Sequence, residues 1–463
     1  MKTTRRGVII GGAAALVGAG VFGSGVLGPG GNPQPGRSRA RRVEGDSVLP
    51  ASADVVVVGG GDIGAASAYY LARKGLSVVL CEKGEIGAEA SCRSVGWVYS
   101  LGMPPGSVEV TAAARPLWHG INAELGIDTG FRPNGLIMEI PDEESRAYWV
   151  KWLRRNAHLA PAARILDARE IPSHVTTNHR WHAAIHDPTD GCAEPGLVAP
   201  AFAEAARRHG ARVMVHCAVR GFETAGGRIT SVVTEKGPIR TSRVVLAGGA
   251  WSSLLLGNAG LQLPTATVFS WCSSFYGVDG PDGAGYFSNV TWRRQIDGGY
   301  TTSMQVATAP VTPGLLANAL KFRAAAHESA WVVRPRVGRY FFEEIRAGRH
   351  WELDEESPFE RRRILEPEPN PELVRRMLDS MRSGVPAFRE LKPGPAWGGA
   401  ITITPDELPV VGVVPTVSGL VVATAFDNGL AKAPAVGIAI AELINGETPR
   451  VPLNAMRYDR FGS

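Results

Sequence analysis

The stretch Asp54–Glu82, DVVVVGGGDIGAASAYYLARKGLSVVLCE, decides the fold of this chain. Four consecutive valines are typical of a parallel strand that is buried on both faces. The next residues place Gly59, Gly61 and Gly64 in a G-x-G-x-x-G pattern, followed by a helical segment and a second apolar strand that ends at Glu82. Because strand, glycine turn, helix, strand and terminal acid occur in this order, the stretch predicts a dinucleotide-binding βαβ unit of an α/β fold.

The residues of this motif indicate how a dinucleotide would bind. Gly59 permits a tight turn, Gly61 lets a pyrophosphate approach the backbone, and Gly64 lets the helix pack closely against the strand. The helix N-terminus, which includes Ile63, offers N–H groups and positive potential to phosphates, and the carboxylate of Glu82 can accept ribose hydroxyls. The motif alone does not separate FAD from NAD, and the competing interpretation is a glycine-rich turn of another α/β fold.

Four later motifs favour FAD. Residues Gly87–Val98 (GAEASCRSVGWV) resemble the flavin-binding loop of the D-amino-acid oxidase superfamily, the FAD-dependent amine and amino-acid oxidoreductases. Three more segments resemble motifs of that family in the family's order: Asp190–Pro195 (DGCAEP), Val244–Ser252 (VVLAGGAWS) and Thr404–Gly412 (TPDELPVVG). NAD-dependent chemistry is disfavoured because these later motifs are typical of FAD.

The resemblance implies a glutathione-reductase-like FAD-binding domain with an interleaved α+β substrate domain that contains a mixed or antiparallel sheet. Alternation in residues 299–305 (GYTTSMQ) supports a strand of that sheet. Transferred to this chain, the family's organisation predicts an FAD-binding domain of residues 50–103, 190–263 and 394–450, a substrate domain of residues 104–189 and 264–393, and a C-terminal tail of residues 451–463.

The predicted cofactor site is spread over all of these motifs. Relatives of the sarcosine-oxidase type tether FAD to a cysteine near residues 396–400, which here read AWGGA, so we expect non-covalent FAD, with Cys92 as the alternative tether. The predicted cofactor-binding residues are Gly59, Gly61, Ile63, Gly64, Glu82, Lys83, Ser91, Cys92, Arg93, Gly96, Trp97, Val219, Gly248, Trp251, Asn428, Gly429, Leu430 and Lys432.

A C-terminal helix is predicted after residues 423–432 (ATAFDNGLAK), with Pro434 in its first turn and its end near Gly446. In the family this helix directs its N-terminus at the pyrimidine edge of the flavin, where its partial positive charge would stabilise negative charge on the reduced ring. Lys432 would reinforce that effect or reach the substrate, and the alternative is a solvated lysine. The chemistry is expected to be centred on the flavin, and no acid–base dyad is required or evident. The catalytic residues stay open, with Lys432 and Tyr99 as candidates.

The predicted substrate residues are Tyr99, Arg294, Trp271 and Phe426. Tyr99 stands where close relatives carry an arginine that is a candidate anchor for a substrate carboxylate. Two interpretations stay open: another residue, Arg293 or Arg294, binds a carboxylate, or the substrate has none. The competing interpretation of each arginine is a surface or ion-paired role. Core packing explains Trp271 equally well.

The resemblance implies oxidation of a C–N bond of an amine or amino acid by hydride transfer to flavin N5, giving an imine that hydrolyses in water. The electron acceptor would be O2 or a quinone or other carrier. Thr301 and Thr302 stand where oxidase-type relatives carry a lysine that helps oxygen react, which favours a dehydrogenase. The alternatives are FAD-dependent oxidation of a hydroxyl or other reduced small molecule, and a non-catalytic flavin-binding module.

The first residues, MKTTRRGVIIGGAAALVGAG, are typical of a twin-arginine export signal, with Arg5 and Arg6 before a weakly apolar run. We assign residues 1–28 to this signal and 29–49 to a disordered linker. The route exports folded proteins, which suits a cofactor that is bound in the cytosol. The protein would use the twin-arginine translocation machinery and be periplasmic or extracytoplasmic. In the alternative, the leader is not cleaved and anchors the protein in the membrane.

Charge and cysteine content exclude other classes. The formal charge is +5, but seven basic residues precede Glu44, so the remainder is slightly acidic and no nucleic-acid partner is expected. The five cysteines lack a C-x-x-C spacing, and His179, His182 and His186 lack ligands at metal-site spacing. We therefore predict no metal site.

Overall fold

The computed structural model describes residues 39–329 and 333–462. The predicted export signal and the linker up to residue 38 lie outside the described residues. None of the helices in these two ranges combines the length and apolar character that a membrane crossing requires.

The described residues form an α/β structure in which helices and strands alternate along much of the chain. The helices are α1 (Asp62–Arg73), α2 (Ser107–Leu125), α3 (Glu143–Asn156), α4 (Pro195–Arg208), α5 (Ser252–Asn258), α6 (Pro313–Ala317), α7 (Arg323–Ser329), α8 (Arg339–Ala347), α9 (Pro358–Arg361), α10 (Pro371–Gly384) and α11 (Gly429–Ile444). The strands are β1 (Val55–Val58), β2 (Val78–Cys81), β3 (Trp97–Val98), β4 (Leu136–Ile140), β5 (Arg164–Asp167), β6 (Ala183–Asp187), β7 (Gly191–Cys192), β8 (Arg212–Met214), β9 (Val219–Ala225), β10 (Arg228–Thr234), β11 (Gly237–Arg240), β12 (Val244–Leu246), β13 (Ala266–Tyr276), β14 (Ala284–Phe287), β15 (Val290–Arg294), β16 (Tyr300–Met304), β17 (Ala307–Pro310), β18 (Val333–Arg336), β19 (Lys392–Ile403), β20 (Val410–Val413) and β21 (Leu420–Thr424).

The first domain is built on a six-stranded sheet in the order β20-β21-β12-β1-β2-β8, parallel except for β20. The four valines of β1 are buried because both faces of the sheet are covered. Helices α1, α4 and α11 pack on one face, while the antiparallel β9–β11 sheet covers the other. Helix α11 packs closely on α1, since a Cβ on Gly437 would lie 2.9 Å from the backbone of Ala66.

The second domain is built on a ten-stranded mixed sheet. Its order is β18-β17-β13-β16-β15-β14-β4-β6-β5, with β19 paired to β13. The β4–β14 and β17–β18 pairs are parallel and the others antiparallel. The strand predicted within residues 299–305 is β16, which confirms that prediction. Helix α10 buries Leu373, Met377 and Met381 against this sheet.

Two segments contact a different domain from the one predicted. Strand β19, whose residues from 394 onward were assigned to the FAD-binding domain, pairs along its length with β13 of the large sheet. Helix α2, assigned to the substrate domain, packs on the first domain, where the Trp118 indole N–H donates to the Ala431 carbonyl at 2.9 Å. Both placements depend on partners far away in the chain, which local sequence patterns do not reveal.

Residues 39–49, the described part of the predicted disordered linker, are ordered against the first domain. The Arg41 N–H donates to the Gly196 carbonyl at 2.8 Å, and the Asp46 N–H donates to the Val213 carbonyl at 2.8 Å. Val43 is buried in the same core as α1 and α4. Backbone hydrogen bonds and an apolar anchor therefore fix this segment in spite of its polar composition.

Candidate functional site

The glycine motif places the N-terminus of α1 against the carboxyl end of β1. Gly59 has a φ of +103°, and a Cβ there would lie 2.5 Å from the Ala247 carbonyl oxygen. A Cβ on Gly64 would lie 1.9 Å from the Gly59 carbonyl oxygen, so only glycine fits there. The N–H of Asp62 in the first turn donates to Ser91 Oγ at 2.9 Å, which joins the helix start to the Gly87–Val98 loop.

Glu82 shapes the next part of the site at the carboxyl end of β2. Its Oε2 accepts the Gly60 N–H and its Oε1 accepts the Gly84 N–H, each at 2.7 Å. Burial raises the pKa of this carboxyl, while the nearby Lys83 charge and these hydrogen bonds oppose the rise. The side chain is therefore held rigidly beside the glycine turn.

A polar cluster of Lys83, Glu89 and Trp251 connects the residue after Glu82 with the flavin loop and with the Val244–Ser252 motif. Lys83 Nζ lies 2.7 Å from Glu89 Oε1 and 4.5 Å from the centre of the Trp251 ring. The Trp251 indole N–H donates to Glu89 Oε2 at 2.9 Å. Glu89 was not among the predicted site residues, although it lies inside the flavin-loop motif and its carboxylate holds that motif in place.

Two adjacent cavities run along the carboxyl ends of β1, β2, β12 and β21, where ligands bind in open parallel sheets. The smaller, of about 120 Å³, contains the Glu82 end. The larger, of about 360 Å³, lies between the first domain and the ten-stranded sheet. The predicted cofactor residues that line one or both cavities are Gly59, Gly61, Ile63, Glu82, Lys83, Ser91, Arg93, Gly96, Trp97, Val219, Gly248, Trp251, Asn428, Gly429 and Leu430.

Three predicted cofactor residues lie behind these walls. Gly64 acts through close helix–strand packing. Cys92 is buried, and its Sγ donates to the Ala88 carbonyl at 3.4 Å. Lys432 is fully buried, and its Nζ lies 2.9 Å from Asp427 Oδ1. The alternative interpretation of Lys432 as a solvated lysine is therefore wrong.

The helix that carries Lys432 begins earlier than predicted. Helix α11 starts at Gly429, so Pro434 lies in its second turn and not in its first. The residues at this start, Asn428–Leu430, line the larger cavity. The positive end of the α11 dipole is thereby directed at the same space as that of α1.

Several buried polar atoms of the larger cavity have no hydrogen-bond partner in the described chain. They belong to residues from both helix starts, the flavin loop and β19, and a polar ligand would satisfy them. These atoms are Asp62 Oδ1, Arg93 Nη2, Ser94 Oγ, Asn428 Nδ2 and Thr402 Oγ1. The cavities, the glycine turn and these atoms fit a dinucleotide with a polar ring system.

Asp62 was missed by sequence reasoning, although it occupies one of the variable positions of the glycine motif. Its side chain is buried at the cavity wall. Burial raises the pKa of this carboxyl to about 7, in spite of a hydrogen bond with Ser91 that favours the ionised form. A carboxylic acid that can stay protonated near neutral pH adds no fixed negative charge at the helix N-terminus.

Neither arginine that was considered for a substrate carboxylate lines the cavity. Arg293 is buried and donates to both carboxylate oxygens of Glu194, at 2.6 and 3.0 Å. Arg294 donates to Asp279 at 2.9 Å and is partly exposed. Trp271 packs in the core of the large sheet, where its indole N–H donates to the Glu368 carbonyl.

Tyr99 and Phe426 do line the larger cavity. Burial raises the pKa of the Tyr99 hydroxyl, and the charges of Asp427 and Asp190 add to the rise. Tyr286 also lines this cavity, and its hydroxyl donates to Gln305 Oε1 at 2.8 Å. These side chains give the cavity an aromatic and polar lining.

Within the described ranges, no three His, Cys, Asp or Glu side chains converge to hold a metal ion.

Comparison with known proteins identifies the family. Residues 54–443 match the model of the DAO family, described as FAD dependent oxidoreductase. The chain therefore belongs to the DAO family of FAD-dependent oxidoreductases. The predicted family, α/β fold class and FAD cofactor are confirmed.

Solved structures of similar proteins cover almost the whole chain. The L-amino acid deaminase from Proteus myxofaciens, solved in complex with anthranilate, matches with a TM-score of 0.90 and 33% identity over 92% of this chain and 97% of that one. The L-amino acid deaminase from Proteus vulgaris matches with a TM-score of 0.87 and 33% identity over 91% of this chain and all of that one.

Sequence relatives of known activity match over shorter segments. Glycine oxidase of Pseudomonas putida is 33% identical over 224 residues, which are 47% of this chain and 60% of that protein. Sarcosine oxidase subunit beta of Rhodobacter capsulatus is 28% identical over 223 residues, which are 46% of this chain and 54% of that protein. The match thus spans little more than half the length of these relatives.

Proposed function

We propose that this protein is an FAD-dependent oxidoreductase that oxidises a C–N bond of an amine or amino acid. The observation that carries the proposal is the larger cavity, which lies between the glycine-motif edge of the first domain and the ten-stranded sheet and is lined by Tyr99, Phe426 and Tyr286. The similar proteins named above act on amino acids or on sarcosine, which supports chemistry at carbon–nitrogen bonds.

The chain's own residues hold, position and shield the reactants. FAD, when bound, supplies the acceptor for a hydride, which carries the two electrons of the oxidation. The N-terminus of α1 and Glu82 would hold the dinucleotide end, while the start of α11 at Gly429 would face the ring. Tyr99, Phe426 and Tyr286 would orient the substrate and exclude water from the reacting carbon.

The decisive experiment is anaerobic reduction of the bound flavin in the purified full-length protein. A panel of primary amines, N-methyl amines, D- and L-amino acids and alcohols would be added, and the flavin absorbance near 450 nm followed. Bleaching by any amine or amino acid supports the proposal. Bleaching by alcohols alone supports the hydroxyl-oxidising alternative, and a bound flavin that no compound reduces supports a non-catalytic module.

We further propose that the electron acceptor is a quinone or another carrier and not O2. No lysine is among the described residues that line the larger cavity. Thr301 Oγ1 accepts the Gln295 amide at 2.7 Å, and the Thr302 hydroxyl is buried without a partner in the described chain. Reduced enzyme mixed with O2 or with a soluble quinone in stopped flow tests this, because faster reoxidation by O2 would contradict it.

Export by the twin-arginine route also remains our proposal, supported by Arg5 and Arg6 before a weakly apolar run. The mature protein would be periplasmic or extracytoplasmic. Fractionation of cells that express the full chain or its Arg5→Lys, Arg6→Lys double variant tests the route. Equal distribution of the two proteins between the fractions would contradict it.

A further inference from the structure

The loop that precedes α11 places one charged residue, the carboxylate Asp427, at the wall of the larger cavity. Asp427 lines this cavity, and its side chain is only 7% exposed. Its Oδ1 lies 2.9 Å from Lys432 Nζ, which is fully buried and does not line the cavity. The pair is neutral overall, but its negative end borders the cavity and its positive end lies behind the wall.

Among the described residues of the cavity wall, no arginine or lysine carries a charge that is left without a counter-ion. Arg293 and Arg294 are engaged with Glu194 and with Asp279 outside the wall. Within the described chain, the basic residue that lines the larger cavity is Arg93. Its Nη1 pairs with Glu366 Oε1 at 2.8 Å, which compensates its charge, while its Nη2 has no hydrogen-bond partner in the described chain.

Arg93 is also assigned to a different part of the site. It belongs to the flavin loop, and its Nε donates to the Ala88 carbonyl of that loop at 3.2 Å. Tyr99, which stands in the position of the missing arginine, contributes a neutral hydroxyl close enough to Asp427 for that charge to raise its pKa. The substrate-facing wall therefore combines a neutral hydroxyl with a carboxylate.

This arrangement discriminates between ligand charges. A carboxylate brought beside Asp427 would meet a like charge, while Lys432, the counter-ion of Asp427, lies behind the wall and is already paired with it. Burial of a second carboxylate there therefore costs free energy. An amine would meet an acceptor for its N–H groups, and charge-assisted hydrogen bonds of this kind are stronger than neutral ones.

We propose that the substrate is an amine without a carboxylate, and that its N–H groups donate to Asp427. The inference rests on the proposed C–N oxidation and narrows its substrate class. Asp427 would then determine the specificity of the site. The inference also explains why the neutral Tyr99 stands where an arginine would bind a carboxylate.

The test uses matched pairs of compounds that differ only in an α-carboxylate: tyramine with D- and L-tyrosine, isobutylamine with D- and L-valine, and dimethylamine with sarcosine. We expect the amines to bleach the flavin with a kcat/KM at least about tenfold above that of their carboxylated partners. Faster bleaching by the carboxylated members would overturn the inference and leave the proposed function standing. If no member of any pair bleaches the flavin, C–N oxidation itself fails.

A second readout does not require turnover. Titration of the oxidised holoenzyme with benzylamine or with benzoate is followed by the shift in the flavin spectrum. We expect benzylamine to perturb the spectrum at lower concentration than benzoate. Tighter binding of benzoate would contradict the proposal.

Substitutions locate the effect. Asp427→Asn should raise the KM for the preferred amine by at least about tenfold, with FAD content unchanged. The control is Asp279→Asn, which changes a surface carboxylate paired with Arg294 and should leave this KM unchanged. Tyr99→Arg should shift the preference towards carboxylated partners, and it keeps the inference testable if Asp427→Asn does not fold. An unchanged KM in folded Asp427→Asn would show that Asp427 does not determine specificity. A preference of the protein for amino acids that is lost in Arg93→Met would show that Arg93, and not Asp427, determines it.

Discussion

The ammonium nitrogen of Lys432 lies 2.9 Å from Oδ1 of Asp427, and neither side chain is more than 7% exposed. The two residues sit on either side of the start of α11 at Gly429. Removing two charges from water is costly, and their mutual attraction offsets this only while both are present. The pair therefore couples the stability of the α11 start to the charge that borders the substrate cavity.

Removal of one partner should destabilise the protein more than removal of both. Lys432→Met leaves Asp427 without its counter-charge, and we expect a loss of about 3–5 kcal/mol in the free energy of unfolding. The double variant Lys432→Met, Asp427→Leu should recover most of that loss. Urea unfolding of the wild type, both single variants and the double variant measures the coupling, and additive effects would contradict it.

The glycine motif gives a second prediction with an internal control. Gly64→Ala places a Cβ 1.9 Å from the Gly59 carbonyl oxygen, so the helix must move away from β1. We expect a loss of at least about 2 kcal/mol in stability together with weaker FAD binding.

The matched control is Gly120→Ala in α2, where a Cβ has no atom within 4 Å. This change should stabilise the protein by about 0.5–1 kcal/mol, as expected for alanine in a helix interior. Thermal unfolding and flavin content of the two variants can be compared directly. Similar behaviour of the two would show that close packing at Gly64 is not critical.

Local patterns predicted the βαβ unit because its determinants are contiguous: the buried valines of β1, the glycine turn and Glu82 all lie in one stretch. The same holds for strand β16. Sequence reasoning did not find Asp427 or Glu89, although both stand beside predicted residues. Their roles depend on partners such as Trp251, 162 positions away from Glu89.

The pairing of β19 with β13 and the engagement of Arg293 by Glu194 were hidden for a related reason. In both cases, segments distant in the chain decide the contact. An arginine beside a predicted strand is equally compatible with an anion site and with an internal ion pair. Only the three-dimensional arrangement separates these two roles.

The raised pKa of the buried Asp62 carboxyl predicts an unusual dependence of stability on pH. Its pKa is raised to about 7 in the folded protein, so the folded state keeps a proton that the unfolded chain, with a carboxyl pKa near 3.9, has lost. Stability from this group is fully present below about pH 4 and is lost as pH rises from about 4 to 7. Each unit of pKa difference corresponds to about 1.4 kcal/mol, so the loss amounts to several kcal/mol.

Asp62→Asn removes this ionisation while keeping the shape of the side chain. We expect the variant to gain stability relative to the wild type at pH 8 and to show little gain at pH 4.5. Urea unfolding of the FAD-free proteins at both pH values measures the difference. A gain of the same size at both would show that ionisation of Asp62 is not its cause.

Glu82 should be required both for the shape of the turn and for the cofactor. Its two carboxylate oxygens accept the N–H groups of Gly60 and Gly84, each at 2.7 Å. Glutamine has one acceptor oxygen, so Glu82→Gln must turn its amide NH2 towards one of these donors and leave that N–H unsatisfied, at a cost of about 1–3 kcal/mol. We expect lower stability without FAD and an FAD dissociation constant raised by at least about tenfold.

The control for Glu82→Gln is Glu447→Gln, which changes an exposed carboxylate paired with Lys74 and should alter neither stability nor FAD affinity. Fluorescence titration of the FAD-free proteins with FAD measures the affinity, and urea unfolding of the same samples measures the stability. An unchanged dissociation constant in Glu82→Gln would mean that the cofactor does not depend on this carboxylate, and that Glu82 acts only on the turn.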